Sequence, residues 1–124
     1  TFDDKCDGVV KLYDGKPLLT DLYTSGRKTE NENVADISAM RCVIDIMNTI
    51  ENADYKSFFN SFASSFAGGA TRKYLEYLIS EDEHANYGVR VNTVLSNFQE
   101  FYDTYGISEN DAMYVKPENR ITIW

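Results

Sequence analysis

The stretch Glu32-Asn33-Val34-Ala35-Asp36-Ile37 sets two carboxylates four residues apart, and an apolar series at helical spacing follows: Met40, Val43, Ile44, Met47 and Ile50. On a helix, Glu32 and Asp36 stand one above the other on a single face. The segment from about Glu32 to residue 50 therefore reads as an amphipathic helix, and the chain as mainly α. A pair of carboxylates so placed can hold a metal or steer its neighbours. Glu51-Asn52-Ala53-Asp54 then supplies a turn and a fresh helix cap.

Upstream, Phe2, Cys6, Val9, Val10 and Tyr13 repeat at helical spacing behind Thr1, which has the chemistry of an N-cap, and this first helix ends near Asp14-Gly15. Lys16 to Asn31 carries Pro17 and Ser25-Gly26 and reads as a loop with a short extended piece around Leu18 to Tyr23. Downstream, Tyr55, Phe58, Phe59, Phe62 and Phe66 form the most regular apolar stripe, stopped by Gly68-Gly69. A fourth helix, from about Thr71 to Ile79, is expected to bury Tyr74, Leu75 and Leu78 before the acidic run Ser80-Glu81-Asp82-Glu83. A fifth follows Gly88, with Val91, Val94, Leu95, Phe98, Phe101 and Tyr102 as one inner face ending at Tyr105-Gly106. From Ile107 to Trp124 the pattern is irregular, and the alternation Ile121-Thr122-Ile123-Trp124 predicts a tail packed across the helices. No repeat or linker divides residues 1–124, which read as a single helical domain.

At 124 residues and 43% hydrophobic, the chain can build a real core. A formal charge of -8 argues against nucleic acid or an anionic membrane as the main partner. Every apolar stretch is interrupted before it could span a bilayer, and Thr1-Phe2-Asp3-Asp4 lacks the order of a signal peptide. Any targeting signal would lie upstream, so cytoplasm, cell envelope and secretion all stay open. Cys6 and Cys42 fall on separate predicted helices without metal spacing and read as buried thiols, a disulfide between them being the alternative.

His84 is the sole histidine, and Arg90 follows six residues on. A histidine that donates to a developing oxyanion and an arginine that grips a peptide carbonyl are what amide hydrolysis beside a metal would use. Taken alone, Glu-x-x-x-Asp is more often a solvated face, and a lone histidine more often a surface residue. A catalytic zinc needs three protein ligands, and one histidine cannot form a His-Glu-x-x-His helix.

Several stretches together carry a resemblance. Gly26-Arg27-Lys28-Thr29-Glu30-Asn31-Glu32-Asn33-Val34-Ala35-Asp36-Ile37 resembles the Gly-Glu-Asn-x-Ala-Asp motif of the neprilysin family of zinc metallopeptidases, which includes the bacterial PepO-type oligopeptidases. Asp82-Glu83-His84 through Arg90-Val91-Asn92 is similar to the family's Asp-x-His followed six residues later by Arg. Phe98-Gln99-Glu100-Phe101, Asp111-Ala112-Met113-Tyr114, Pro117-Glu118 and Trp124 resemble the way these peptidases finish, and Phe2 to Val10 resembles the helix that follows their zinc-binding helix. The likeness covers essentially the whole chain, with the anchors in order.

The resemblance implies the helical C-terminal part of a thermolysin-like zinc metallopeptidase catalytic domain, with an irregular or extended tail, acting on oligopeptides. It implies Glu32 as the third zinc ligand and Asp36 as the carboxylate that orients a ligand histidine. It implies His84 as the residue stabilising the tetrahedral oxyanion, and Arg90 as the one that binds the substrate backbone and pairs with Asp36. The two zinc histidines and the general base have no counterpart, so they are expected on a missing N-terminal part, and this chain alone is expected to be inactive. Apolar faces left without that part would favour self-association. The departures are Asn31 for the motif's Gly, Lys28 and Glu30 where apolar residues are frequent, Ala39 where small glycines are usual, Ile121 in place of a cysteine found in animal members, and Ala85-Asn86-Tyr87-Gly88-Val89 in place of a Ser-Pro-Gly-containing turn. The alternative is a stand-alone, non-catalytic helical binding or structural module derived from such a peptidase.

Overall fold

The computed structural model describes all 124 residues. Helix α1 (Phe2–Tyr13) opens on a capping box in which the Thr1 hydroxyl accepts from the Asp4 amide while the Asp4 carboxylate reaches back to the N-cap backbone. After Gly15, in the left-handed region at φ 71°, strands β1 (Pro17–Leu19) and β2 (Leu22–Tyr23) form a small antiparallel hairpin. The extended piece expected around Leu18 to Tyr23 is this hairpin. Gly26 then passes so close to the end of α1 that a Cβ there would lie 2.1 Å from the Val10 carbonyl oxygen, and its amide donates to Asp14 Oδ1 at 2.9 Å.

Helix α2 (Glu30–Met47) starts two residues earlier than the spacing suggests, because Ser25 to Thr29 already winds into it: the Thr29 amide and hydroxyl both donate to the Ser25 carbonyl. It stops at Met47 rather than residue 50. Ile37, Met40 and Ile44 are buried, but Val43 (40% exposed) and Ile50 (55%) are not, a correction to the single expected face. A helix wraps its apolar stripe around the axis, and only the part turned toward the neighbouring elements finds cover. Helix α3 (Tyr55–Ser65) is capped by Asp54, as the turn before it predicts, and buries Phe59 edge-on against Phe101. Helix α4 (Arg72–Glu81) has no buried residue, and Tyr74, expected inside, is 49% exposed.

The single fifth helix of the sequence reading is two helices, α5 (Tyr87–Leu95) and α6 (Gln99–Tyr105). Ser96-Asn97 breaks the run because both side chains bind backbone. The Ser96 hydroxyl donates to the Thr93 carbonyl, and Asn97 clasps the main chain of Ile121, donating to its carbonyl and accepting from its amide. Phe98 leaves at φ -116°, ψ 130°, and the Tyr102 hydroxyl takes up the freed Ser96 carbonyl at 2.6 Å. Helix α5 runs through the middle, against α1, α2 and α3, and buries Val89, Val91, Val94 and Leu95.

The segment after α6 is irregular, with turns over residues 109–113 and a 3-10 turn at Pro117–Asn119, and it packs across the helices as expected. Ile123 is buried, Ile121 lies against Gly8 of α1, the Lys5 ammonium donates to the Ile123 carbonyl across 118 residues, and Trp124 stacks on Phe2. The cysteines are free thiols, and the expectation that they are buried does not hold. Cys42 is exposed, standing away from the Ile37, Met40 and Ile44 stripe of α2, and Cys6, on the same face of α1 as Val9 and Tyr13, is only half-buried. No helix is long and apolar enough to cross a membrane.

Candidate active site

Glu32 and Asp36 lie in the first two turns of α2, on the face that meets the chain leading into α5. From the other side come His84, in the turn after α4, and Arg90, in the first turn of α5. The four residues singled out in the sequence thus converge in two pairs. His84 Nε2 lies 3.1 Å from Glu32 Oε2. Arg90 grips Asp36 through both oxygens, Nη2 donating to Oδ1 at 2.7 Å and Nε donating to Oδ2.

Asp36 and Arg90 are the more enclosed pair, each side chain about one-fifth exposed, whereas Glu32 and His84 are open to solvent on one side. The Asp36 carboxylate holds the Arg90 guanidinium above its ordinary pKa, so the fork is permanently charged. The Phe66 ring lies 5.0 Å below that guanidinium, and Nη1 is left without a protein partner. Arg90 is therefore anchored on one edge and free to donate on another.

Sequence reasoning assigned no role to Asp82, although it belongs to the quoted Asp-x-His stretch. Its carboxylate accepts from the His84 amide at 3.0 Å and meets His84 Nδ1 at 2.8 Å, leaving Nε2 toward Glu32. Those two bonds hold the Asp82 carboxyl below its ordinary pKa. Asn33 was also missed. Between the two acids it is fully buried, and its amide donates to the Thr29 hydroxyl at 2.8 Å, bracing the first turn of α2. Its place inside the motif was the available signal. A cleft of about 240 Å³ opens beside His84 and Arg90, lined also by Leu18, Lys28, Ile79 and Tyr87.

A model of peptidase family M13 matches residues 1–121. The chain belongs to peptidase family M13. It is 32% identical over 123 residues to a neutral endopeptidase of Lactococcus lactis subsp. cremoris and 25% identical over 139 residues to neprilysin-1 of Caenorhabditis elegans, covering 99% of this chain in each case. The crystal structure of PEPO from Lactobacillus rhamnosis HN001 superposes with a TM-score of 0.90 at 28% identity, over 99% of this chain. The mainly helical M13 fold read from the sequence is therefore the observed one. The chain spans about a fifth of the length of these relatives: 20% of the Lactococcus protein, 18% of neprilysin-1 and 20% of the PEPO chain.

No three His, Cys, Asp or Glu side chains cluster so as to hold a metal. The half-open Glu32 carboxylate has the oxygen chemistry of a zinc ligand.

Proposed function

We propose that this chain is the C-terminal part of the catalytic domain of a zinc metalloendopeptidase that hydrolyses oligopeptides. The observation that carries this reading is the convergence of Glu32 and Asp36 with His84 and Arg90, brought together from positions more than fifty residues apart.

In the complete site, zinc when bound polarises the scissile carbonyl and activates water. Glu32 would be its third protein ligand, through the carboxylate that here meets His84 Nε2. Asp36, a carboxylate with about four acceptor positions, keeps its two bonds to Arg90 and still accepts from the ring of a ligand histidine. Arg90 donates its free Nη1 to a substrate carbonyl and fixes the peptide beside the reacting bond. His84, its Nδ1 side held by Asp82, presents Nε2 to the oxygen on which negative charge develops. The 124 residues alone are inactive on this reading, since they lack the other ligands and the general base.

The test is to express the longer protein that carries this chain, measure metal content and follow cleavage of oligopeptides. Glu32→Ala is expected to lose both zinc and activity. His84→Ala is expected to keep zinc and lose mainly kcat. A His84→Ala enzyme of full activity overturns the role of His84. A longer protein that neither holds zinc nor cleaves peptides overturns the enzyme reading in favour of a non-catalytic module.

A further inference from the structure

Helix α4 delivers the chain to the Asp82–His84 turn, yet it is poorly fastened by packing. It buries no residue, and Tyr74 and Tyr77 stack on each other in solvent. Its C-terminal end also carries the wrong charge. Glu81, Asp82 and Glu83 stand there and the last turn has no basic residue, although the free carbonyls of a helix C-terminus favour cations.

The cation comes from a distant part of the chain. The Lys28 ammonium donates to the Ile79 carbonyl at 2.8 Å and to the Ser80 carbonyl, 51 and 52 residues away in sequence. At the opposite end of α4, Arg72 holds both oxygens of Asp21 in the hairpin turn, at 3.1 and 2.6 Å. Both polar fastenings of α4 therefore run to the segment between β1 and α2. The Lys28 contact matters for the site because of where its arms lead: Glu32 lies four residues beyond Lys28, and His84 four residues beyond Ser80. Lys28 and the Glu32–His84 contact close the two ends of one small loop.

We propose that Lys28 is a positioning residue, which caps the C-terminal carbonyls of α4 and so fixes the turn bearing Asp82 and His84 relative to Glu32. Its effect on turnover rests on the role given to His84 above; its effect on the geometry does not. Hydrogen bonds to a charged donor exceed neutral ones in strength, and this donor meets two acceptors that otherwise lack a partner. Two of its three protons are committed to the brace, so Lys28 acts through the turn rather than on a substrate.

The experiment compares wild type, Lys28→Met and Lys28→Arg in the longer protein, reading amide hydrogen exchange over residues 78–84 together with kcat, KM and zinc content. Lys28→Met should raise exchange in 78–84 and lower kcat, each about tenfold, with KM and zinc little changed. Lys28→Arg, which keeps a cationic donor, should recover most of both. Unchanged exchange in Lys28→Met overturns the brace, and faster exchange with wild-type kcat overturns the positioning role. Loss of kcat that Arg does not restore also counts against it. Should Lys28→Met not fold, Lys28→Gln takes its place under the same criteria. If the wild-type protein cleaves no peptide, the function proposed above fails while the exchange data still decide the brace.

Discussion

Arg90 closes a two-point hydrogen bond on Asp36 across 54 residues of sequence, tying the first turn of α5 to the second turn of α2. The planar fork matches a carboxylate in a way a lysine ammonium cannot. Asp36→Ala leaves a half-enclosed guanidinium without its partner, an expected loss of about 1–3 kcal/mol, between the values for exposed and buried pairs. Urea unfolding checks it, and Arg90→Lys should fall on the destabilised side as well. Wild-type stability in either variant would mean that the pair contributes nothing to the fold.

Asp82 gives the acid limb of the stability curve a defined contribution. Its folded pKa is depressed by the His84 amide and imidazole. The stabilisation is therefore present above the unfolded carboxyl value, near 3.9, and is lost as pH falls through the lower folded value. Carbon-13 titration of the Asp82 carboxyl should show a midpoint below the ordinary aspartate range, and Asp82→Asn should flatten that part of the curve. An ordinary midpoint for Asp82 would contradict the two bonds drawn to it.

Gly26 tolerates no side chain. A Cβ would sit 2.1 Å from the Val10 carbonyl oxygen and 2.9 Å from the Asp14 amide nitrogen, both backbone atoms that cannot swing away. Gly26→Ala is expected to cost more than about 1 kcal/mol, despite alanine's lower entropy cost of folding. Thermal unfolding decides it, and an unchanged Tm would show that the loop relaxes. Gly69, which has open space around the same hypothetical atom, is the control.

Two isoleucines of α2 should part company. Ile44 is fully buried and Ile46 is 62% exposed. Ile44→Ala should cost about 2–5 kcal/mol, whereas Ile46→Ala should change stability by no more than about 0.5 kcal/mol. Equal losses in chemical denaturation would place Ile46 under cover that the structure does not show.

How far the sequence was readable follows from which interactions are local. Thr1 and Asp54 announced their helices because a cap is a contact over three residues. Glu32, Asp36, His84 and Arg90 were singled out through the family resemblance rather than by spacing alone, and the structure brings them together in two pairs. The division of α5 from α6 was hidden because what rewards it lies far off: Asn97 is held by Ile121, and the Ser96 carbonyl by Tyr102. The outward turn of Val43, Ile50 and Tyr74 was equally hidden, since periodicity reports a stripe and not what covers it. Lys28 looked like a departure from an apolar position, and only the arrival of α4's carbonyls 51 residues later gives it a task.

The seam between α1 and residues 121–124 bears on how such a chain is made. Lys5 and Ile123 are 118 residues apart, which at ribosomal speed separates their appearance by roughly ten seconds. Throughout that interval α1 has no Ile121 against Gly8 and no indole over Phe2. Glu32, Asp36, His84 and Arg90 are all polymerised before residues 121–124, so these four side chains exist on the nascent chain while this face of α1 is still open.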